Sequence, residues 1–333
     1  MKKTILLLIF MHCFCFSQGI SLNKIKGVNF VSPKNKSKLS GIDNLKNINS
    51  NWIAICPFSF LNANSSKIEY NSPKNWYGDT EIGMISAIKK AKETHLKILL
   101  KPHYWVNNIG WAGDFDLSGK TMNNWEENYK NHLLYLARIA DSLDVEMLSI
   151  GTELKTYTSN HPKFFENLIR EIRKVYKGKL TYAANWDEYE HIKFWDKLDY
   201  IGIDGYFPLS DKKTPQIEDL EPKWKTISMR LKLFSEKYMK KIIFTEYGYR
   251  SVDFAANKQW EFEKTANSKN INLKAQENAY SAFYNTIWQT DFVAGGFVWK
   301  WYDENAVEKE LNSDYSPQNK PVQKIINKWY SKN

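Results

Sequence analysis

Eight short apolar or β-branched runs, most followed by a stretch of helical periodicity, constrain this chain more than any other feature. They are Gly27 to Val31, Trp52 to Phe60, Lys97 to Val106, Met147 to Leu154, Leu180 to Trp186, Tyr200 to Leu209, Lys241 to Arg250 and Ala294 to Tyr302. Such alternation is the mark of parallel βα units. Successive runs start on average about 38 residues apart, which leaves room for a strand, a helix and two loops. Between them, Tyr129, Leu133, Leu136, Ala140 and Leu143 share one helical face. Phe165, Leu168, Ile169, Ile172 and Tyr176 share another, and Trp224, Ile227, Leu231, Phe234 and Tyr238 a third. Faces of this kind pack onto a sheet. Pro162 and Pro222 fall where a first helical turn tolerates proline. The pattern predicts an α/β chain folded as a single (β/α)8 TIM barrel over residues 18–333. A doubly wound open sheet is the alternative, but no G-x-G-x-x-G follows the first run and no P-loop occurs.

Residues 1–17 read as a secretory leader. Lys2 and Lys3 precede an apolar stretch from Ile5 to Phe16, and Ser17 supplies the small residue before a cut at Gln18. This predicts export to the periplasm or the medium. The stretch is too short for a membrane span, and no later segment has about 18 uninterrupted apolar residues. His12 before Cys13 and Phe14 before Cys15 deny lipidation the small residue it needs. With those cysteines in the leader, Cys56 has no internal partner for a disulfide or a cysteine metal site. The net charge is +10, from 47 basic and 37 acidic residues, but it is interspersed rather than blocked, which argues against a nucleic-acid partner. A monomer is the default expectation.

In a barrel of this kind, chemistry sits at the carboxyl ends of the strands. The fourth run ends in Ser149-Ile150-Gly151-Thr152-Glu153-Leu154 and the seventh in Ile243-Phe244-Thr245-Glu246-Tyr247-Gly248-Tyr249. Each delivers one glutamate to the mouth, so two carboxyl groups could flank one bond of a substrate, as glycoside cleavage requires. One must be a neutral acid that protonates the leaving oxygen, the other an ionised group at the anomeric carbon. Tyr206, ending the sixth run, is placed to donate a hydrogen bond to the ionised partner.

Aromatic and amide side chains crowd the same rim: His103, Tyr104 and Trp105, Asn185 and Trp186, Asp204, Tyr206 and Phe207, Trp299 and Trp301. Sugars present apolar C–H faces to rings and hydroxyl edges to Asn, Asp and His, so the mixture suits a glycan groove. Of the strand-eight tryptophans, Trp299 is the one expected to meet ligand. His103 alone among the histidines lies at a strand end, and no H-x-H or H-E-x-x-H occurs, so no metal or other cofactor is expected. A G-x-S-x-G elbow is also missing.

With these residues in this order, the chain resembles the retaining clan A glycoside hydrolases, and within them glycoside hydrolase family 113, the β-1,4-mannanases. The resemblance runs from Gly27-Val28-Asn29-Phe30 to Gly295-Gly296-Phe297-Val298-Trp299, by way of Lys101-Pro102-His103, Gly151-Thr152-Glu153 and Thr245-Glu246-Tyr247-Gly248. It implies a retaining double displacement on a β-linked mannan. Glu153 would be the acid/base, Glu246 the nucleophile and Trp299 the floor under the cleaved sugar. Asn185, Asp204, Tyr206 and His103 would bind or support the substrate, and the aromatic rim adds Trp105 and Trp186 as candidate substrate-binding residues. Many clan A families carry Asn before the acid/base; here the position is Thr152, as in family 113. Hydrolysis of another β-glycan, of cellulose or galactan type, and a non-catalytic glycan-binding barrel are the competing readings. Retaining chemistry predicts about 5–5.5 Å between the two carboxyl groups.

Overall fold

A computed structural model describes residues 24–109, 111–258, 270–303 and 311–332; the expected leader lies outside the described residues. The strands are Ile25–Phe30 (β1), Trp52–Ile55 (β2), Phe58–Asn62 (β3), Ile68–Glu69 (β4), Lys97–Leu100 (β5), His103–Asn107 (β6), Met147–Thr152 (β7), Lys179–Asn185 (β8), Ile201–Asp204 (β9), Ile242–Tyr247 (β10) and Val293–Trp301 (β11). Eight of them close a barrel in the order β1-β11-β10-β9-β8-β7-β5-β2, every neighbouring pair parallel. This is the (β/α)8 barrel that the eight runs predict.

Two runs differ from a single strand each. The second and third break at Cys56-Pro57 and Lys101-Pro102, because proline offers no N–H to a ladder and restrains the residue before it. Their far halves, β3 and β6, leave the barrel and pair with each other and with β4 in a small side sheet above the mouth. His103, Tyr104 and Trp105 therefore belong to that sheet and not to a barrel strand.

The helices are Ser40–Asp43 (α1), Glu81–Glu93 (α2), Gly119–Ser142 (α3), Lys155–Asn160 (α4), Pro162–Val175 (α5), Ile217–Tyr238 (α6), Leu273–Asn285 (α7) and Val322–Tyr330 (α8). The faces read from the sequence are those they bury: Tyr129, Leu133, Leu136 and Ala140 in α3, Phe165, Leu168, Ile169 and Ile172 in α5, Trp224, Ile227 and Leu231 in α6. Pro162 opens α5, but Pro222 lies inside α6. A capping box between Gln216 and Asp219 starts that helix well upstream, so Pro222 forfeits an intrahelical bond instead of occupying an end.

Along each strand, outward residues such as Ile53, Ile98, Leu148, Leu180, Ile203 and Phe244 join the large core shared with the helices. Inward residues change character with height. Ile25, Ala54, Leu99, Met147, Ile243 and Phe297 form an apolar plug toward the amino ends. Two positions further along, the same strands or their immediate ends carry Cys56, Lys101, Ser149 and Thr245, and four positions beyond Ile25 stands Asn29, all buried. The barrel thus becomes polar toward its carboxyl end, where a site is expected.

Candidate active site

Glu246 owes its direction to an irregularity in β10. Its pairing with β9 and with β11 shifts register after Phe244. Phe244 and Tyr247 both pack outward on Phe283 of α7, while Thr245 and Glu246 both serve the interior. Strict alternation would have sent one of that pair into the helix layer; the bulge re-aims it. The Glu246 carboxylate is 5% exposed. Its Oε2 accepts from the Tyr206 hydroxyl at 2.6 Å, its Oε1 accepts from the Lys101 ammonium, and His103 Nε2 stands 3.6 Å from Oε1. Gly248, two residues on, lets the chain pass close to the end of β11, since a Cβ there would lie 2.5 Å from the Trp299 carbonyl oxygen.

Glu153 follows β7 directly, in the left-handed region at φ 51°. Its N–H donates to the Ala183 carbonyl at 2.8 Å, and the next N–H, of Leu154, donates to the Tyr182 hydroxyl at 2.7 Å. The indole N–H of Trp111 donates to Glu153 Oε2 at 2.8 Å. Burial and the neighbouring Glu246 charge push Glu153 up to about 8, against the opposing pull of the Trp111 bond. A proton is therefore held on this carboxyl at neutral pH, while the donors around Glu246 are arranged for a carboxylate.

Lys101, fully buried, ties the floor together. Its ammonium also donates to the Thr245 carbonyl at 3.4 Å and lies 3.9 Å from Asp204 Oδ1. Burial opposes its charge, but Asp204 and Glu246 override this and hold its pKa above the ordinary lysine value. Asp204 accepts from the Thr245 hydroxyl at 2.7 Å. Burial first, then the Glu246 charge, hold Asp204 well above the usual carboxylate range. Asp204 is 0% exposed, and Thr245 and Lys101 are the partners its carboxyl meets.

The other expected residues divide. His103 stacks on Trp299 with centroids 5.7 Å apart, and burial keeps its ring neutral by lowering its pKa well below the ordinary value. Trp299 is half-buried, with the Lys101 ammonium 5.5 Å from its ring centre. Trp301 instead is buried, its indole N–H on the Gly41 carbonyl. Asn185 and Trp186 lie half-buried at the end of β8, the Asn185 amide oxygen accepting from the Trp186 N–H at 2.7 Å. Trp105 stands apart on the side sheet, 51% exposed. The Thr152 hydroxyl donates to the Pro102 carbonyl. Among the described residues, no group of three or more His, Cys, Asp or Glu could hold a metal ion.

A carboxyl raised by burial beside a second one held by a lysine and a tyrosine, at the mouth of an eight-stranded barrel, suits glycosidic bond cleavage. The family model for Glycoside Hydrolase Family 113 matches residues 27–320. The chain belongs to glycoside hydrolase family 113. It is thus a glycoside hydrolase, and its substrate is a glycan. Solved structures share the fold. A family 113 β-mannanase from Alicyclobacillus acidocaldarius superposes with a TM-score of 0.81 at 20% identity, over 93% of this chain and 99% of that one. A further family 113 β-1,4-mannanase gives 0.79 at 23% identity, over the same shares of 93% and 99%. The β-glucuronidase of Ruminococcus gnavus gives 0.62 at 14% identity, over 92% of this chain and 50% of that one. No curated protein matches the sequence.

Three residues of this family 113 hydrolase escaped the reading of strand ends. Lys101 stands two positions after the inward Leu99, so strand alternation alone points it into the barrel. Trp111 lies in a connection with no periodicity. Glu188 sits in the run Asp187-Glu188-Tyr189-Glu190, which reads as a solvated charge cluster, yet it is 0% exposed. It accepts from the Tyr182 hydroxyl at 2.7 Å, the Thr158 hydroxyl at 3.0 Å and the Asn185 N–H at 2.9 Å. Burial pushes Glu188 up to about 7. Through Tyr182 it braces the Leu154 peptide, and with it the turn that carries Glu153.

Proposed function

We propose that this hydrolase is exported and cleaves β-1,4-mannosidic bonds with retention of configuration. The observation that carries the reading is the asymmetry of the two glutamates: Glu153 raised by burial and by its neighbour's charge, Glu246 between the donors Tyr206 and Lys101. A Glu246 oxygen attacks the anomeric carbon while Glu153 gives its proton to the departing glycosidic oxygen, leaving a glycosyl ester. Esterification removes the Glu246 charge, which relieves the push on Glu153 and prepares it to accept a proton. Water then attacks the same carbon, Glu153 takes its proton, and Glu246 leaves as a carboxylate. Trp299 offers a ring beneath the reacting sugar. The mannan assignment is supported by family membership and by the β-mannanases among the structural neighbours.

The test is hydrolysis of β-1,4-manno-oligosaccharides followed by NMR of the newborn anomer, alongside cello- and galacto-oligosaccharides. The β anomer should appear first, Glu246→Ala should abolish turnover, and azide should rescue Glu153→Ala as a β-glycosyl azide. An α anomer appearing first, or full activity in either variant, would overturn the mechanism. Cleavage of another glycan series alone would overturn the substrate. Secreted protein should begin at Gln18.

A further inference from the structure

We propose that the cleft-side face of the β3-β4-β6 sheet is a binding platform that carries the glycan onward from the cleaved sugar, with Trp105 as its outer stacking ring. The proposal rests on the hydrolase reading above and extends its site. The sheet is rooted at the mouth, because β3 and β6 continue the second and third barrel strands through Pro57 and Pro102.

Pairing sorts the two faces. Ser59 opposite Tyr104 and Leu61 opposite Val106 are buried, and Tyr104 packs on Tyr129 and hydrogen-bonds His132, both of α3. The other face holds Phe58 opposite His103, Phe60 opposite Trp105, and Asn62 opposite Asn107, and it looks away from α3. Its inner end is fixed at the reaction centre, where His103 lies between Phe58, at 4.9 Å, and Trp299, at 5.7 Å between centroids. Two residues along a strand advance about 6.8 Å, on the scale of one sugar ring. Trp105 is thus the next ring outward, and beyond it the exposed amides of Asn62 and Asn107 meet at 3.2 Å.

The order suits a sugar chain: rings for C–H faces near the scissile bond, then amides for hydroxyl edges. The charged side chains at the outer edge of this face, Glu69 on β4 and Lys67 just before it, are paired with each other at 3.2 Å and sum to zero. The His103 ring is neutral. The platform therefore offers no net charge to the ligand, and a neutral glycan fits it better than a uronate chain. Continuity with Trp299 and His103 is what identifies the occupant as the substrate's own extension.

The test compares kcat/KM for a β-1,4-linked hexasaccharide and trisaccharide of mannose. Trp105→Ala should lower the long-to-short ratio roughly 3- to 10-fold, chiefly through KM, and Trp105→Phe should restore most of it. Thermal unfolding of each variant is followed in parallel. An unchanged ratio, or equal loss on both lengths, overturns the platform. If the wild type cleaves no manno-oligosaccharide, the substrate assignment fails separately, and the same ratio is read in the glycan series it does cleave.

Discussion

Replacing Lys101 with methionine tests the electrostatics of the barrel mouth most directly. The side chain is 0% exposed, and its charge is shared between Glu246 and Asp204. Methionine has a similar length and no charge, so the variant leaves two buried carboxyl groups without a counter-ion. Breaking a buried pair in this way costs about 3–5 kcal/mol, a large share of the 5–15 kcal/mol that holds a typical domain together. Asp204 is the group that responds, since its pKa already stands well above the usual range and its Oδ2 accepts no hydrogen bond among the described residues. Between the ordinary carboxylate value and that raised value, the folded protein binds a proton that the unfolded chain does not. Stability therefore falls as pH rises through this window, and more steeply once Lys101 is gone. Asp204→Asn removes the charge and keeps an oxygen for Thr245, so in the double variant it should recover about 1–3 kcal/mol. Urea unfolding at about pH 5 and about pH 8 measures all four corners of the cycle. A loss below about 1 kcal/mol at the higher pH, or strictly additive losses, would refute the reasoning.

The alkaline limb of kcat/KM should lie near 8, activity falling as pH rises because Glu153 must carry a proton to act as an acid. Trp111→Phe removes a bond that favours the carboxylate and should move this limb upward by about one unit; a limb that stays in place would detach Trp111 from the chemistry. Glu188→Gln removes a charge that helps to raise Glu153 and should move the limb downward, with kcat reduced through the Tyr182 brace. A fall in kcat with the profile unmoved would leave Glu188 a packing residue.

The barrel was legible because each of its strands and helices must bury a face of fixed period, and that period is written in consecutive residues. What escaped was where a strand changes sheets: Pro57 and Pro102 announce a break, but nothing local says that Phe58 and His103 will pair with each other. Glu153 and Glu246 stood out because a carboxylate closing an apolar run is conspicuous, and the structure brings both to the barrel mouth. Asp204 was equally conspicuous, but its full burial beside Lys101 and Thr245 involves residues distant in the sequence. Glu188 was hidden by its setting, since the burial of a charge is decided by distant residues, here Thr158 and Tyr182.

Glu153 occupies a backbone conformation natural to glycine. Holding a branchless but bulky acidic residue there disfavours the native state by about 1–2 kcal/mol. Glycine or asparagine would sit at this corner more comfortably. On the mechanism proposed above, a descendant of this chain released from hydrolysis would gain stability by surrendering this one acid, so the residue at the turn after β7 should separate working relatives from passive scaffolds.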